Sequence, residues 1–144
     1  MSWHIRCVRQ PLPSRKTVRL STGDYVSGTY LITIVTHARR WSLGRIKSGV
    51  MHHSPLGALV ASHIDALGSR RRRFGIEEHI VMPNHVHMVL WLAHGREVHE
   101  IVEGTLEDNS VGSVIGGFKS GVTRAARAQG LASRDAPVWQ RGFH

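Results

Sequence analysis

The sequence predicts an α+β fold of the split β-α-β-β-α-β, or ferredoxin-like, type, in which one antiparallel sheet carries two helices on one face. Three observations support this prediction. Runs rich in β-branched residues alternate with two segments of helical apolar periodicity. A Ser-Pro pair gives the first helical segment a start signal that is independent of hydropathy. A Pro-Asn pair places a short turn between two consecutive apolar runs.

The first half of the chain supplies a strand and a helix. TYLITIVTH, residues 29–37, is the first predicted strand. The first helix is predicted to follow Ser54 as N-cap, with Pro55 at its first position and Gly68 at its end. Its apolar face consists of Leu56, Leu59, Val60, His63, Ile64 and Leu67. We expect the histidine in that face to be a hydrogen-bonded core residue.

The second half supplies the other four elements. Two strands are predicted at residues 75–83 and 85–93, and a second helix spans roughly residues 110–128. Its apolar stripe consists of Val114, Ile115, Phe118, Val122, Ala125 and Ala126. A last short strand is predicted at residues 136–144, which completes the β-α-β-β-α-β order.

The charge of the chain indicates a polyanionic partner. The 144 residues fit one domain, and 19 Lys and Arg against 10 Asp and Glu give a net charge of +9. A sequence pI near 11.2 favours nucleic acid. An anionic membrane would call for a basic amphipathic helix, and none stands out. The single cysteine, Cys7, and the lack of an apolar stretch near the ~20 residues of a membrane span predict a cytoplasmic protein.

Residues 1–24 form a predicted basic arm ahead of a domain at residues 25–144. The arm carries Arg15, Lys16 and Arg19 near two prolines, a composition that suits an extended segment. It is either a solvated tail or a DNA-contacting arm.

His85 and His87 open the third strand. Eleven histidines in 144 residues make about one such pair expected by chance, so the spacing alone says little. On a strand, both side chains share one face at ~7 Å between Cα atoms, within reach of one metal ion. The alternative is a polar pair on a solvated sheet face, although Val89 and Trp91 would share that face.

Four separated segments together resemble the REP-associated tyrosine transposases, a branch of the single-tyrosine HUH transposases. The segments are RKTVRLSTGDYVSGTYLITIVTHARRWSLG, VMPNHVHMVLWL, SVGSVIGGFKSGVTR and APVWQRGF. The resemblance covers about residues 15–143. It implies metal-dependent nicking and joining of single-stranded hairpin DNA through a 5′-phosphotyrosine, in the bacterial cytoplasm beside the nucleoid. It also implies that His85 and His87 are catalytic and bind a divalent metal, magnesium or manganese, and it is compatible with a homodimer.

The sequence departs from this family at the nucleophile. The family's tyrosine lies on a helix after the last strand, and this sequence, which ends at His144, is expected to lack that helix. Tyr25 and Tyr30 both precede the histidine pair, and Tyr30 is expected to pack in the sheet. Three hypotheses stay open: a transposase-type enzyme, a non-catalytic DNA-binding module or fragment, and a domain that receives its tyrosine from another chain.

Basic residues outside the arm are candidate DNA contacts. They are Arg70, Arg71, Arg72 and Arg73 before the second strand, and Lys119, Arg124 and Arg127 off the apolar stripe of the second helix. The alternative for both groups is ordinary solubilisation, and the arginine run is the one that favours phosphate contact. Trp139 and Phe143 either stack on unpaired bases or pack in the core. A third metal ligand is expected from Glu77, Glu78 or His79, if one of them faces His85.

Overall fold

The computed structural model describes residues 27–68, 73–93 and 110–144. In chain order the elements are β1 (Gly28–Val35), a 3-10 turn η1 (His37–Arg39), β2 (Gly44–Lys47), β3 (Val50–His53), α1 (Pro55–Gly68), β4 (Phe74–Met82), β5 (His85–Leu92) and α2 (Val111–Ala128). The predicted α+β class, with antiparallel strands and two helices, is confirmed. The predicted basic arm lies outside the described residues. No helix within the described ranges is long and apolar enough to cross a membrane.

The main sheet has the strand order β1-β5-β4, and both pairings are antiparallel. Its central strand alternates strictly along its length. One side of β5 buries Val86, Met88, Leu90 and Leu92, and this side is called the helix face. The other side carries His85, His87, Val89 and Trp91, all half-buried, and is called the open face. The alternation follows from the period of two that a strand imposes on its side chains.

The helices and the helix face share one hydrophobic core. Both predicted helices are present with the predicted starts, and α2 buries Val114, Ile115, Phe118 and Val122. Each such side chain contributes about 1.5–3 kcal/mol of transfer free energy when it leaves water. Trp139 belongs to this core at 7% exposure, with its ring 6.1 Å from that of Phe118. It therefore packs in the core and is not a base-stacking residue.

The C-terminal segment, residues 136–144, is not the regular strand that the sequence predicts. It runs beside β1, where the Gln140 amide donates to the Val35 carbonyl at 2.9 Å and the His144 amide to the Thr33 carbonyl at 2.9 Å. Four positions along the segment thus match two positions along β1. The two extra residues of the segment form a bulge at Gly142, whose φ of 73° lies in the left-handed region. The segment completes the sheet edge without forming a continuous ladder.

A second, two-stranded sheet was not predicted from the sequence. β2 and β3 pair antiparallel through a two-residue turn at Ser48 and Gly49, both with positive φ, as such turns require. The fully buried Leu43 anchors the base of this hairpin, because its amide donates to the Pro83 carbonyl at 3.0 Å. The hairpin therefore starts next to the turn that joins β4 to β5.

The beginning of α1 holds the hairpin from the other side. Ser54 Oγ accepts a hydrogen bond from the Gly57 amide at 3.0 Å, which makes it the predicted N-cap, and donates to the Ser42 carbonyl at 2.7 Å. A Cβ atom on Gly57 would lie 1.9 Å from the Leu43 carbonyl oxygen. Only glycine permits this approach of the helix to the loop before β2.

Candidate functional site

His85 and His87 lie side by side at the start of β5, directly after the Pro83-Asn84 turn. Their ring centroids are 4.7 Å apart, and the rings meet edge to face at 77°. Both side chains are half-buried on the open face, as the strand period predicts. The exposed side chains of Leu31 and Ile80 lie on the same face of the neighbouring strands, since Ile80 pairs with His87 and Leu31 with Val89.

Asn84 fixes the orientation of the His85 imidazole. Its amide nitrogen donates to the Arg39 carbonyl at 3.4 Å, which leaves Oδ1 as the atom that faces His85 Nδ1 at 2.7 Å. Because Oδ1 only accepts, His85 Nδ1 carries the hydrogen and donates it. The lone pair of the neutral ring then resides on Nε2. A metal-ligating histidine is commonly held in this way, with one ring nitrogen bound to the protein.

His85 has the protonation state that a metal-ligating histidine needs. Burial lowers the pKa of His85 below its ordinary value of 6.5, and the neighbouring charges of His87 and Arg39 lower this pKa further. The imidazole is therefore neutral at neutral pH, and a neutral ring is the form that binds a metal ion.

The orientation of His87 is also fixed by a neighbouring side chain on the open face. Thr33 Oγ1 on β1 lies 2.9 Å from His87 Nδ1 across the strand pair. Thr33 is held in turn by its backbone pair with His144, in which each residue donates its amide to the carbonyl of the other. The irregular C-terminal segment thus stabilises the strand position that orients the second histidine.

The three candidates for a further ligand on β4 separate in space. His79 pairs with Met88, so it points to the helix face, where its Nε2 lies 3.9 Å from Asp65 Oδ1. Glu77 occupies the bulge between Ile76 and Glu78, and Glu78 pairs with Val89 on the open face. Within the described ranges, no three His, Cys, Asp or Glu side chains come together as a metal-binding group.

Tyr30 lies on the other side of the sheet from the histidine pair. It pairs with Leu90, packs against the hydrophobic core, and its hydroxyl donates to the Ser27 carbonyl at 2.5 Å. The expectation that Tyr30 packs in the sheet agrees with this position. Tyr25 falls outside the described residues. The part of the chain that the structure describes therefore places no tyrosine beside the histidine pair.

The predicted basic contacts have different environments. Arg15, Lys16, Arg19, Arg70, Arg71 and Arg72 lie outside the described residues, and Arg73 is exposed. Lys119, Arg124 and Arg127 line a groove of about 590 Å³ between α2 and the C-terminal segment, together with Arg141. The Lys119 ammonium donates to the carbonyls of Gln140 at 2.5 Å and Gly142 at 2.9 Å, and burial lowers its pKa. This lysine therefore holds the C-terminal segment against α2.

Sequence reasoning missed a group of exposed residues next to the histidine pair. They are Arg39, Arg40, Trp41, Arg45 and Lys47, on η1, the loop after it and β2. A signal was available, because residues 25–64 contain four Arg and Lys and no Asp or Glu. The local charge imbalance was obscured by the longer arginine run at residues 70–73.

Comparisons with known proteins agree with the fold. A solved structure, described as the REP-associated tyrosine transposase bound to a REP hairpin, superimposes with a TM-score of 0.53 at 20% identity. The match covers 83% of this chain, and the chain spans 56% of the length of that transposase. An uncharacterised protein of Haemophilus influenzae is 28% identical over 146 residues, covering 90% of this chain and 76% of the relative. No protein-family profile matches the sequence.

Proposed function

We propose that this chain is a transposase-like domain that binds single-stranded hairpin DNA and holds a divalent metal ion at His85 and His87. The observation that carries the proposal is the orientation of the two imidazoles. Asn84 and Thr33 each engage an Nδ1 atom, which leaves Nε2 of both rings for an ion or a phosphate. Two histidines that were only solvated polar residues would need no such partners.

The fold and the charge support the DNA half of the proposal. The solved neighbour with this fold is bound to a REP hairpin, although at 20% identity. The net charge of +9 favours a polyanion, and the groove between α2 and the C-terminal segment presents Arg124, Arg127 and Arg141. We propose that these guanidinium groups, with Lys119 at the groove floor and the predicted basic residues of the arm and the arginine run, contact the DNA backbone.

The donor set fits a divalent ion in part. Two imidazoles would supply two nitrogen ligands, and oxygen atoms of a DNA phosphate and of water would complete the shell. Imidazole nitrogen suits first-row transition ions better than magnesium, so of the two expected metals we propose manganese. When bound, such an ion would neutralise charge on the phosphate next to it. The protein's own contribution is to keep the His85 ring neutral and to orient both rings on the open face.

A second candidate function, DNA binding without strand cleavage, is favoured by the position of Tyr30. Its hydroxyl lies on the helix face, bonded to Ser27, whereas the histidines lie on the open face. Cleavage in the manner of the resembled family would take a tyrosine from outside the described residues or from another chain. For the cleaving function, we propose that this other chain is the second subunit of a homodimer with a shared site. For either function, we propose that the protein acts in the cytoplasm beside the nucleoid.

A gel experiment with a labelled single-stranded hairpin and manganese tests the function. The proposal predicts a complex on a native gel that weakens in His85→Ala and His87→Ala when manganese is present and shows no such loss in its absence. His79→Ala is the matched control, because this histidine lies on the helix face. A denaturing gel of the same samples separates the two candidates: a covalent adduct shows cleavage, and its absence shows binding alone. No native complex at low salt would refute the proposed function.

A further inference from the structure

The open face carries an apolar patch next to the histidine pair. We call it the open-face patch, and it consists of Leu31, Ile80, Val89 and Trp91. Leu31 is 69% exposed and Ile80 is 53% exposed, whereas Val89 and Trp91 are half-buried. The two helices pack on the opposite side of the sheet, where the core lies. A solvated sheet face normally carries polar side chains, so apolar side chains grouped in this way are typical of an interaction surface.

The position of Trp91 gives the open-face patch a defined shape. Trp91 pairs with Gly75 on β4. A Cβ atom on Gly75 would lie 2.5 Å from Trp91 Nε1, so the indole occupies the space that a side chain at position 75 would fill. The indole therefore lies across β4 and rests on its backbone. With Leu31 on β1 and Ile80 on β4, the patch spans all three strands of the main sheet.

Two carboxylates border the open-face patch. Glu78 pairs with Val89 and lies on the open face, and Glu77 occupies the bulge next to it. Both are exposed, and they are two of the four acidic residues in the part of the chain that the structure describes. On a chain with a net charge of +9, this edge of the sheet is thus locally negative. A segment that combines apolar with basic side chains would complement both the patch and its edge.

The first 12 residues of the chain have this composition and can reach the patch. They contain no Asp or Glu, and their large apolar and basic residues include Trp3, Ile5, Val8, Leu12, Arg6 and Arg9. The chain enters the sheet at one end of the patch, because Thr29 pairs with Trp91. Residues 13–27 would span up to about 50 Å when extended. The patch extends only about 15 Å along the strands, so the first 12 residues can reach every part of it.

We propose that residues 1–12 dock on the open-face patch of the same chain. Their apolar side chains cover the patch, and their two arginines pair with Glu77 and Glu78 at its edge. Exposed ion pairs of this kind contribute little affinity, so they select the segment and its direction while apolar contact provides the binding. The DNA contacts proposed for the arm lie at residues 15–19, outside the docked segment. This inference therefore goes beyond the proposed function and does not depend on it.

A nitroxide spin label on Cys7, the single cysteine of the chain, tests the docking. NMR of the purified, DNA-free full chain follows the indole N–H signals of Trp91 and Trp139 and the methyl signals of Leu31. The label should broaden the signals of Trp91 and Leu31. The signal of Trp139, which is buried in the core, should stay sharp.

A second label position guards against a label that itself disturbs the contact. In Ser2→Cys combined with Cys7→Ser, the spin label moves to residue 2 and should give the same pattern of broadening. If neither label position broadens the signals of the open-face patch, the inference is overturned.

Charge reversal at the edge of the patch tests the choice of this segment. Glu77→Lys combined with Glu78→Lys should reduce the broadening, because the basic segment then meets like charges. Asp65→Lys, which changes an exposed carboxylate on α1, is the matched control and should leave the broadening unchanged. Full broadening in the glutamate variant would overturn the inference, because charge complementarity selects this segment as the occupant.

A mixed sample distinguishes the chain's own segment from that of a second copy. Spin-labelled protein without isotopes is mixed with isotope-labelled Cys7→Ser protein, which carries no spin label. Docking within one chain predicts no broadening in this mixture. Broadening in the mixture would assign the patch to the segment of a second copy and overturn the inference. Because the samples contain no DNA, the failure of this inference leaves the proposed function untouched.

Discussion

Asn84 Oδ1 lies 2.7 Å from His85 Nδ1, and the Asn84 amide nitrogen is held by the Arg39 carbonyl. This relationship decides which ring nitrogen of His85 carries the hydrogen. The turn that joins β4 to β5 therefore acts as a support for the histidine pair as well as a connection between strands.

Removal of the Asn84 side chain should weaken metal binding without unfolding the protein. In Asn84→Ala, His85 loses the acceptor that selects its tautomer, and loss of such a partner commonly lowers metal affinity by roughly 10- to 100-fold. Titration calorimetry with manganese measures the change. Asn84→Asp is the control, since a carboxylate also accepts from Nδ1. An affinity in Asn84→Ala equal to that of the wild type would show that the contact does not support the site.

The metal-free protein should show a depressed titration of His85. Burial, His87 and Arg39 lower its pKa below the ordinary 6.5, in that order of size. Between the two pKa values the unfolded chain binds more protons than the folded chain, so folding stability falls as the pH falls through that window. NMR of the imidazole signals gives the pKa, and His87→Ala should raise it towards the ordinary value. A pKa of His85 at or above 6.5 would contradict the described burial.

Two glycine substitutions should act in opposite directions on stability. Gly57→Ala places a methyl group 1.9 Å from the Leu43 carbonyl oxygen, so the start of α1 and the hairpin base must separate. Gly116→Ala in α2 meets nothing within 4 Å and should raise the free energy of unfolding by about 0.5–1 kcal/mol. Urea denaturation measures both. Stabilisation by Gly57→Ala would show that the helix and the loop are not in the described contact.

Lys119→Met should loosen the C-terminal segment. The lysine is the donor to the carbonyls of Gln140 and Gly142, and a thioether cannot replace those hydrogen bonds. We expect faster amide hydrogen exchange at Gln140 and His144 in this variant. Arg124→Met, an exposed residue of the same groove, should leave the exchange rates unchanged. Equal amide hydrogen-exchange rates in the two variants would show that Lys119 does not hold the C-terminal segment.

Local signals predicted the elements that depend on periodicity and capping. The Ser54 cap, the stripe of α2 and the alternation of β5 need only neighbouring residues, and the structure has all three. The prediction of a C-terminal strand was wrong because the bulge at Gly142 depends on how four residues of the segment fit against two on β1. The hairpin at Ser48 and Gly49 was missed because its anchor, Leu43, is buried only by distant contacts with Pro83 and α1.

For the histidine site too, the sequence predicted the local features and not the long-range contacts. Strand alternation placed His85 and His87 on one face, but their partners lie at Thr33, 54 positions away, and in the Asn84 side chain, whose orientation depends on Arg39. The register from the Pro83-Asn84 turn, in which Met82 pairs with His85, places His79 opposite Met88 on the helix face. The bulge between Ile76 and Glu78 lies beyond His79 and changes only the positions of Glu77 and the residues before it.

Paramagnetic line broadening by manganese reports which histidines lie next to a bound ion. Substoichiometric manganese is added to the DNA-free protein, and the imidazole proton signals of His85, His87 and His79 are followed by NMR. With an ion at the histidine pair, the His85 and His87 signals should broaden first and together, His79 should broaden far less, and His87→Ala should abolish the selective effect on His85. Uniform broadening of all three, or none at either residue of the pair, would contradict a metal site at these two histidines.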